Sequence, residues 1–388
     1  MTASPLADSG IPSSVFTDAV RGGMDPAAHN GSIPVPIYQT ATFERSVVLD
    51  GTWDYSRIAN PTRSALEEAL SLLEHGSDAV ATASGMAATL LSVLGTCHSG
   101  AHVVIPDNIY GGTWDLFSEV LPSWGIDHTA VDMRDHAAVA AALTPRTRLV
   151  WVETPSNPMM KVTDIAAIGS IAHAGGALLG VDSTFGTPAL QRPLVLGADL
   201  LIHSTTKYLG GHSDVTGGVV VTRGPELAAR IRRLAGQIGV VAGPFDAWLV
   251  LRGIRTLPVR MSRICASAAA VAEFLAGHPR VRTVHYPGLP GHPDHLIAAR
   301  QMNGFGGVVS VEVDGTLDDA AAVCARTKIF TLAVSLGGIE SLIQHPAQMT
   351  HCTTGGTAVS VPASLLRLSI GLESVEDLIN DLDQALHA

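Results

Sequence analysis

Short apolar runs, each of strand length and each followed at once by polar residues, recur between positions 61 and 225: 102–105, 149–152, 177–181, 199–202 and 218–221. Stretches with helical spacing separate most of them. Runs that are continuous rather than alternating suit strands covered on both faces, as in a mostly parallel sheet flanked by helices. The residues at the run ends are Pro106-Asp107-Asn108, Glu153-Thr154, Asp182-Ser183 and His203-Ser204. Ligands of open α/β sheets gather at the carboxyl ends of the strands, so these positions are the first place to look for chemistry.

The pattern changes outside this block. Residues 1–60 mix short apolar pieces with Pro and Gly, as in Ile33-Pro34-Val35-Pro36-Ile37, and predict an extended arm lying on another surface. The stretch 79–96 is the most apolar of the chain, yet it carries Thr82, Ser84, Gly85, Thr89, Ser92 and Gly95. It predicts a buried helix, not a membrane span. Residues 245–275 predict a long helix interrupted near Pro258. It leads into a smaller C-terminal α+β domain with strands at 308–313 and 366–370. The expected division is an arm over 1–60, a large domain over 61–250 and a C-terminal domain over 251–388.

Composition sharpens this picture. With 388 residues, 46% of them apolar and 15% charged, the chain can fill two or three cores. So low a charge content also points to surface hidden by self-association. The net charge is −11 with no Lys/Arg cluster, which argues against nucleic acid as a partner. Cys97, Cys265, Cys324 and Cys352 are scattered and predict reduced thiols in the cytoplasm. No basic residue precedes Arg21, unlike a secretion signal. No metal is expected, because neither His292 with His295 nor His351 with Cys352 completes a ligand set. A dinucleotide fingerprint is lacking too: Gly304-Phe305-Gly306-Gly307 has the wrong spacing.

Candidate chemistry centres on His203-Ser204-Thr205-Thr206-Lys207-Tyr208. A lysine after a buried strand and hydroxyl residues, with apolar and Gly-rich flanks, suits a Schiff base to a carbonyl cofactor such as pyridoxal 5′-phosphate. The alternative is a surface lysine. Ser204 and Thr206 can donate to a phosphate. Asp182 closes a buried strand, where a carboxylate is costly unless paired. A protonated pyridine nitrogen would pair it; a helix cap formed with Ser183 and Thr184 is the competing reading. Gly85 and Met86 open a helix whose N–H groups can face an anion. Tyr55 and Arg57, in the arm, are further phosphate ligands by type. Tyr110 follows a strand end and can stack on a ring. Arg367, inside the apolar run Leu365-Leu366-Arg367-Leu368-Ser369-Ile370, needs an anion, either a substrate carboxylate or an internal salt-bridge partner.

Several longer motifs go beyond residue type. The chain from Val181-Asp182-Ser183-Thr184-Phe185 through Thr187 to Pro193, then Leu196-Gly197-Ala198-Asp199 and His203 to Lys207, resembles the Cys/Met-metabolism family of fold-type-I pyridoxal-phosphate enzymes. So do Tyr55-Ser56-Arg57-Ile58-Ala59-Asn60-Pro61-Thr62, Glu153-Thr154-Pro155-Ser156-Asn157-Pro158 and Ser335-Leu336-Gly337-Gly338-Ile339-Glu340-Ser341-Leu342. That family includes cystathionine γ-synthase, cystathionine γ- and β-lyases, methionine γ-lyase and O-acylhomoserine sulfhydrylases. The resemblance implies an aspartate-aminotransferase-like fold, pyridoxal 5′-phosphate on Lys207, and Asp182 at the pyridine nitrogen. It places the phosphate on Gly85, Met86, Ser204 and Thr206, with Tyr55 and Arg57 reaching over from a neighbouring subunit. Tyr110 becomes the stacking and proton-transferring residue. Arg367, Ser335 and Asn157 become the carboxylate ligands of a small amino-acid substrate. A homotetramer built from two active dimers is implied as well.

The departures concern the substrate. Val334 stands where cystathionine-handling members usually have Glu, and Asp115 where they often have Arg. Gly112 replaces the Cys usual in methionine γ-lyases, Ser183 replaces a common Asn, and the Cys352–Ser364 loop lacks the usual charges. Val334 and Asp115 predict a small or apolar γ-substituent rather than a second amino-acid head. The expected activity is γ-elimination on a sulfur amino acid, giving a 2-oxo acid, ammonia and a thiol. Alternatives are γ-replacement on an O-acylhomoserine and a non-catalytic cofactor-binding scaffold.

Overall fold

A computed structural model describes residues 13–45, 53–350 and 360–387. Seven strands form the first sheet: β1 (Asp78–Thr82), β2 (His102–Pro106), β3 (Asp127–Val131), β4 (Thr147–Glu153), β5 (Leu178–Asp182), β6 (Leu200–His203) and β7 (Gly218–Thr222). Their order is β1-β7-β6-β5-β4-β2-β3. All neighbours from β6 to β3 pair in parallel, and β7 runs antiparallel to both β1 and β6. Alternate residues of one strand enter different cores. In β4, Val150 and Val152 join one cluster, and Leu149 and Trp151 the other. The apolar runs are continuous because both faces are covered.

The expected mostly parallel α/β architecture is therefore present, with one local correction. Residues 79–96 are not one helix. They form β1, a turn, and helix α3 (Gly85–Thr96), with Ser84 as its cap accepting from Ala87 N at 3.1 Å. A five-residue apolar run has no period that separates strand from helix. The helical stretch after 243 breaks between Ile254 and Leu257, ahead of Pro258, which sits in the first turn of Leu257–Ala276. Proline is tolerated there because a first-turn N–H has no intrahelical acceptor to lose.

The arm begins with helix α1 (Val15–Arg21) and partly docks on its own chain. Ala19 and Val35 are buried, and Trp248 Nε1 donates to Val35 O at 3.1 Å. Helix α2 (Pro61–Glu74) follows, capped by Asn60, whose side chain accepts from Thr62 N and Arg63 N, with Pro61 at its first position. After Leu257–Ala276 come five further strands: β8 (Val281–His285), β9 (Val308–Val313), β10 (Thr331–Leu332), β11 (Leu342–Gln344) and β12 (Leu365–Ser369). They form a second sheet in the order β10-β11-β12-β9-β8, antiparallel except for β10 with β11. Among the described residues no helix is long and apolar enough to cross a membrane. Cys352 and most of the loop to Ser364 lie outside them.

Candidate active site

The carboxyl ends of β4, β5 and β6 open into a cavity of about 280 Å³, to which Arg367 of β12 in the second sheet also contributes. Lys207, Asp182, Tyr110, Gly85, Met86, Ser204, Thr206, Asn157, Ser335, Val334 and Arg367 all line it.

Lys207 Nζ lies 2.7 Å from Ser335 Oγ. Burial, and secondly the Arg367 charge, push its pKa down to about 8. Such an amine is far more often neutral, and nucleophilic, than a surface lysine. Ser335 holds φ at +88°, a left-handed conformation that costs a non-glycine residue of order 1–3 kcal/mol. That backbone gives Lys207 the serine hydroxyl and Arg367 the serine carbonyl, which accepts from Nη2 at 2.7 Å.

Asp182 sits at the cavity floor. Its Oδ1 accepts from Thr184 N at 2.9 Å, so the turn contact weighed against a cofactor role exists beside the cavity position rather than instead of it. Burial pushes its pKa up, against the Thr184 hydrogen bonds and the His203 charge. Beside it, in register on β4, lies Glu153. Burial and then the Asp182 charge raise the Glu153 pKa to about 8. Two adjacent carboxylates short of positive charge fit a ring nitrogen that arrives with a proton.

Elsewhere on the cavity wall, α3 starts with no side chain at Gly85, where a Cβ would come within 2.8 Å of Ser204 Cβ. The first-turn N–H groups of Gly85 and Met86 have no intrahelical acceptor. Thr206 is a partial exception to the expected set. Its hydroxyl exchanges hydrogen bonds with Gly217, accepting from N at 2.9 Å and donating to O at 3.2 Å. The donors and carboxylates that line the cavity thus fit pyridoxal phosphate in type.

Arg367 is buried, and its partners are neutral: Asn157 Oδ1 at 2.9 Å, Ser335 O, and Gln344 Oε1 on the paired strand. Its Nε has no partner, and among the described residues no carboxylate lies within ion-pair distance. The internal salt bridge considered from sequence is therefore not formed. Burial pushes even this guanidinium down to about 10.

Three expected residues are not brought to this cavity. Tyr55 and Arg57 stand together, the guanidinium 5.5 Å from the ring centroid, and Arg57 donates to Gly236 O on the helix Pro225–Ile238. Asp115 ends the short helix α4 (Gly111–Asp115), and Thr113, two residues earlier, lines the cavity in its place. Helical positions two apart face different ways. Gly112 has a physical reason: a Cβ there would lie 2.7 Å from Tyr110 Cε1, so the glycine leaves room for the ring. Sequence reasoning missed Gln344, and it quoted Glu153 without assigning it a role. Among the described residues one cluster, His278, Asp383 and His387, could gather a cation away from this cavity. In it His278 Nε2 and His387 Nδ1 both face Asp383 Oδ1, at 3.5 and 3.4 Å.

Residues 16–387 match the model of the Cys/Met metabolism PLP-dependent enzymes. The chain belongs to this family. It is a pyridoxal-phosphate-dependent enzyme of the lyase and synthase group. It is 51% identical to the cystathionine γ-synthase of Mycobacterium tuberculosis, over 95% of this chain and 96% of that one. With the cystathionine γ-lyase of Bacillus subtilis it shares 44% identity, over 95% and 97%. The solved cystathionine γ-synthase of Xanthomonas oryzae pv. oryzae, in complex with aminoacrylate and cysteine, superposes with a TM-score of 0.95 at 43% identity, over 97% and 98%. The fold-type-I architecture read from the motifs is therefore that of this member as well.

Proposed function

We propose that this member acts at Cγ of an amino-acid substrate and replaces an activated γ-oxygen substituent, as of an O-acylhomoserine, with a thiol. The observation that carries an amino-acid substrate is Arg367: a buried guanidinium, held by neutral acceptors with Nε unpaired, in the same cavity as Lys207. A substrate α-carboxylate supplies the missing charge. Replacement is supported by the higher identity to the γ-synthase, 51%, than to the γ-lyase, 44%. Elimination on methionine or a related thioether is the second reading. Val334 favours it, an apolar side chain on the cavity wall where a distal charged head would need a partner.

Pyridoxal phosphate, when bound, supplies the electron sink for a carbanion at Cα. Lys207 would hold it, Asp182 would face its ring nitrogen, and Gly85, Met86 and Ser204 would receive its phosphate. Thr206 would join them on releasing Gly217 O. Arg367 and Asn157 orient the carboxylate, which aims the Cα hydrogen at Lys207. The lysine amine, with Ser335 Oγ beside it, takes that proton. A second proton leaves Cβ, and the electron pair of that C–H bond expels the γ-group, to which the phenol of Tyr110, 40% exposed at the cavity, hands a proton. The thiol then forms its bond to Cγ as its own proton restores the Tyr110 phenol, and the two protons removed return to Cβ and Cα.

Products decide between the readings. The holoenzyme is incubated with O-acylhomoserine with and without cysteine, and separately with methionine and cystathionine, and products are identified by mass. We expect a new thioether that needs both O-acylhomoserine and thiol. A 2-oxo acid formed faster from methionine or cystathionine would overturn replacement in favour of elimination.

Tyr55 and Arg57 do not line the cavity of their own chain, and Tyr55 is 44% exposed. This supports the arm serving a second copy in a homotetramer with shared sites. Arg57→Ala is expected to weaken cofactor affinity about 10-fold, the scale of one charge-assisted hydrogen bond. At a cofactor concentration too low to load Arg57→Ala, mixing it with inactive Lys207→Ala subunits should restore part of the activity. No recovery after verified subunit exchange would place the site within one chain.

A further inference from the structure

We propose that Glu153 is a positioning residue that fixes Tyr110 and, through Asn157, Arg367. The proposal rests on the reading above, in which Tyr110 serves the γ-group and Arg367 the substrate carboxylate.

Glu153 ends β4 and is 6% exposed. Its two oxygens divide their work. Oε1 accepts from Asn157 N at 2.7 Å, and Oε2 accepts from Tyr110 N at 3.0 Å. Tyr110 leads into α4 beyond β2, and Asn157 lies in the loop after β4, so one carboxylate ties together two segments more than forty residues apart in sequence. The Asn157 side chain then accepts from Arg367 Nη1 at 2.9 Å. A shift of Glu153 therefore moves a proton-transferring ring and a carboxylate clamp together.

Geometry also says what Glu153 does not do. Both oxygens receive a backbone N–H, and a carboxyl keeps an acceptor lone pair on each oxygen whether or not it carries a proton, so both contacts use it as an acceptor. This is an acceptor held in place rather than an acid or a base. The arrangement stands against burial and the neighbouring Asp182 charge, which together disfavour ionisation. An apolar residue would remove that strain but leave two inward N–H groups without an acceptor. Glutamine keeps the volume and one acceptor, but turns its own NH₂ toward the other N–H.

The test is a double-mutant cycle between Glu153→Gln and Asn157→Ala, read as the affinity of the holoenzyme for L-norvaline. This amino acid carries the α-carboxylate but no γ leaving group, and binding is followed by cofactor absorbance. Asn157→Ala should weaken norvaline binding about 10-fold in the wild-type background and only about 2-fold in the Glu153→Gln background. In the same Glu153→Gln protein kcat should fall about 10-fold, because Tyr110 loses its anchor. Equal effects of Asn157→Ala in both backgrounds would overturn the role of Glu153 while leaving the carboxylate clamp standing. No effect of Asn157→Ala in the wild type would overturn the clamp itself, and this proposal with it. Should Glu153→Gln lose its fold, Glu153→Asp is the second variant. One methylene shorter, it cannot reach both N–H groups, and wild-type coupling in it would equally sink the idea.

Discussion

Lys207→Ala is expected to abolish covalent attachment of the cofactor and to lower turnover by roughly 10³-fold or more, since one side chain serves as both anchor and base. The site explains the size of the effect. Lys207 Nζ points at Ser335 Oγ inside the cavity, and its lining offers no second amine. The wild-type protein adds a pH test. Attachment needs the neutral amine, and burial brings the Lys207 pKa from 10.5 to about 8. Below that pH the amine is protonated and attachment is slow; above it the amine is free. Loading of the apoprotein, followed by visible absorbance, should therefore quicken through a midpoint near 8. A midpoint near the ordinary lysine value would mean that burial has not acted. A Lys207→Ala protein with wild-type absorbance and rate would remove the residue from its role.

Asp182→Asn should have the second largest effect. Asparagine is nearly isosteric, and its carbonyl oxygen can still accept from Thr184 N, so the turn survives while the charge is lost. Removing one member of a buried charge pair costs about 3–5 kcal/mol, roughly 10²-fold or more in affinity or rate. We expect cofactor affinity and kcat to fall together on that scale, with the apoprotein melting temperature moving by no more than a few degrees. The result that would sink the electrostatic role is the reverse one. A lowered melting temperature with unchanged cofactor affinity would leave Asp182 as a turn-former only.

Much of the fold was legible because burial writes itself into strands. The runs later found as β2, β4, β5, β6 and β7 are covered on both faces, and only apolar residues tolerate that. The edge strand β3 was missed for the same reason in reverse. Asp127-His128-Thr129 is partly exposed, and an exposed edge leaves no apolar run to find. β8, at the edge of the second sheet, is equally polar, as in Arg282-Thr283. β1 was hidden because its apolar residues run on into α3 without a change of composition.

The sequence by itself determined the chemistry on offer: a lysine and a carboxylate at the ends of successive buried strands, a glycine and small residues opening a helix, and an arginine in an apolar strand. Each is legible because a charged or flexible residue in such surroundings is costly without a partner. The partners of these residues come from the folded chain. Arg367 finds Asn157 across 210 positions, and Gln344 across the β11–β12 register; Glu153 reaches Tyr110 across 43. The tertiary structure also decided that Thr113 rather than Asp115 faces the cavity, and that Tyr55 and Arg57 stand away from it in their own chain. Residue type fixes what a side chain can donate or accept. Which donor meets which acceptor depends on loop paths and strand order, and these follow from the packing of the whole chain, which no local window of sequence contains.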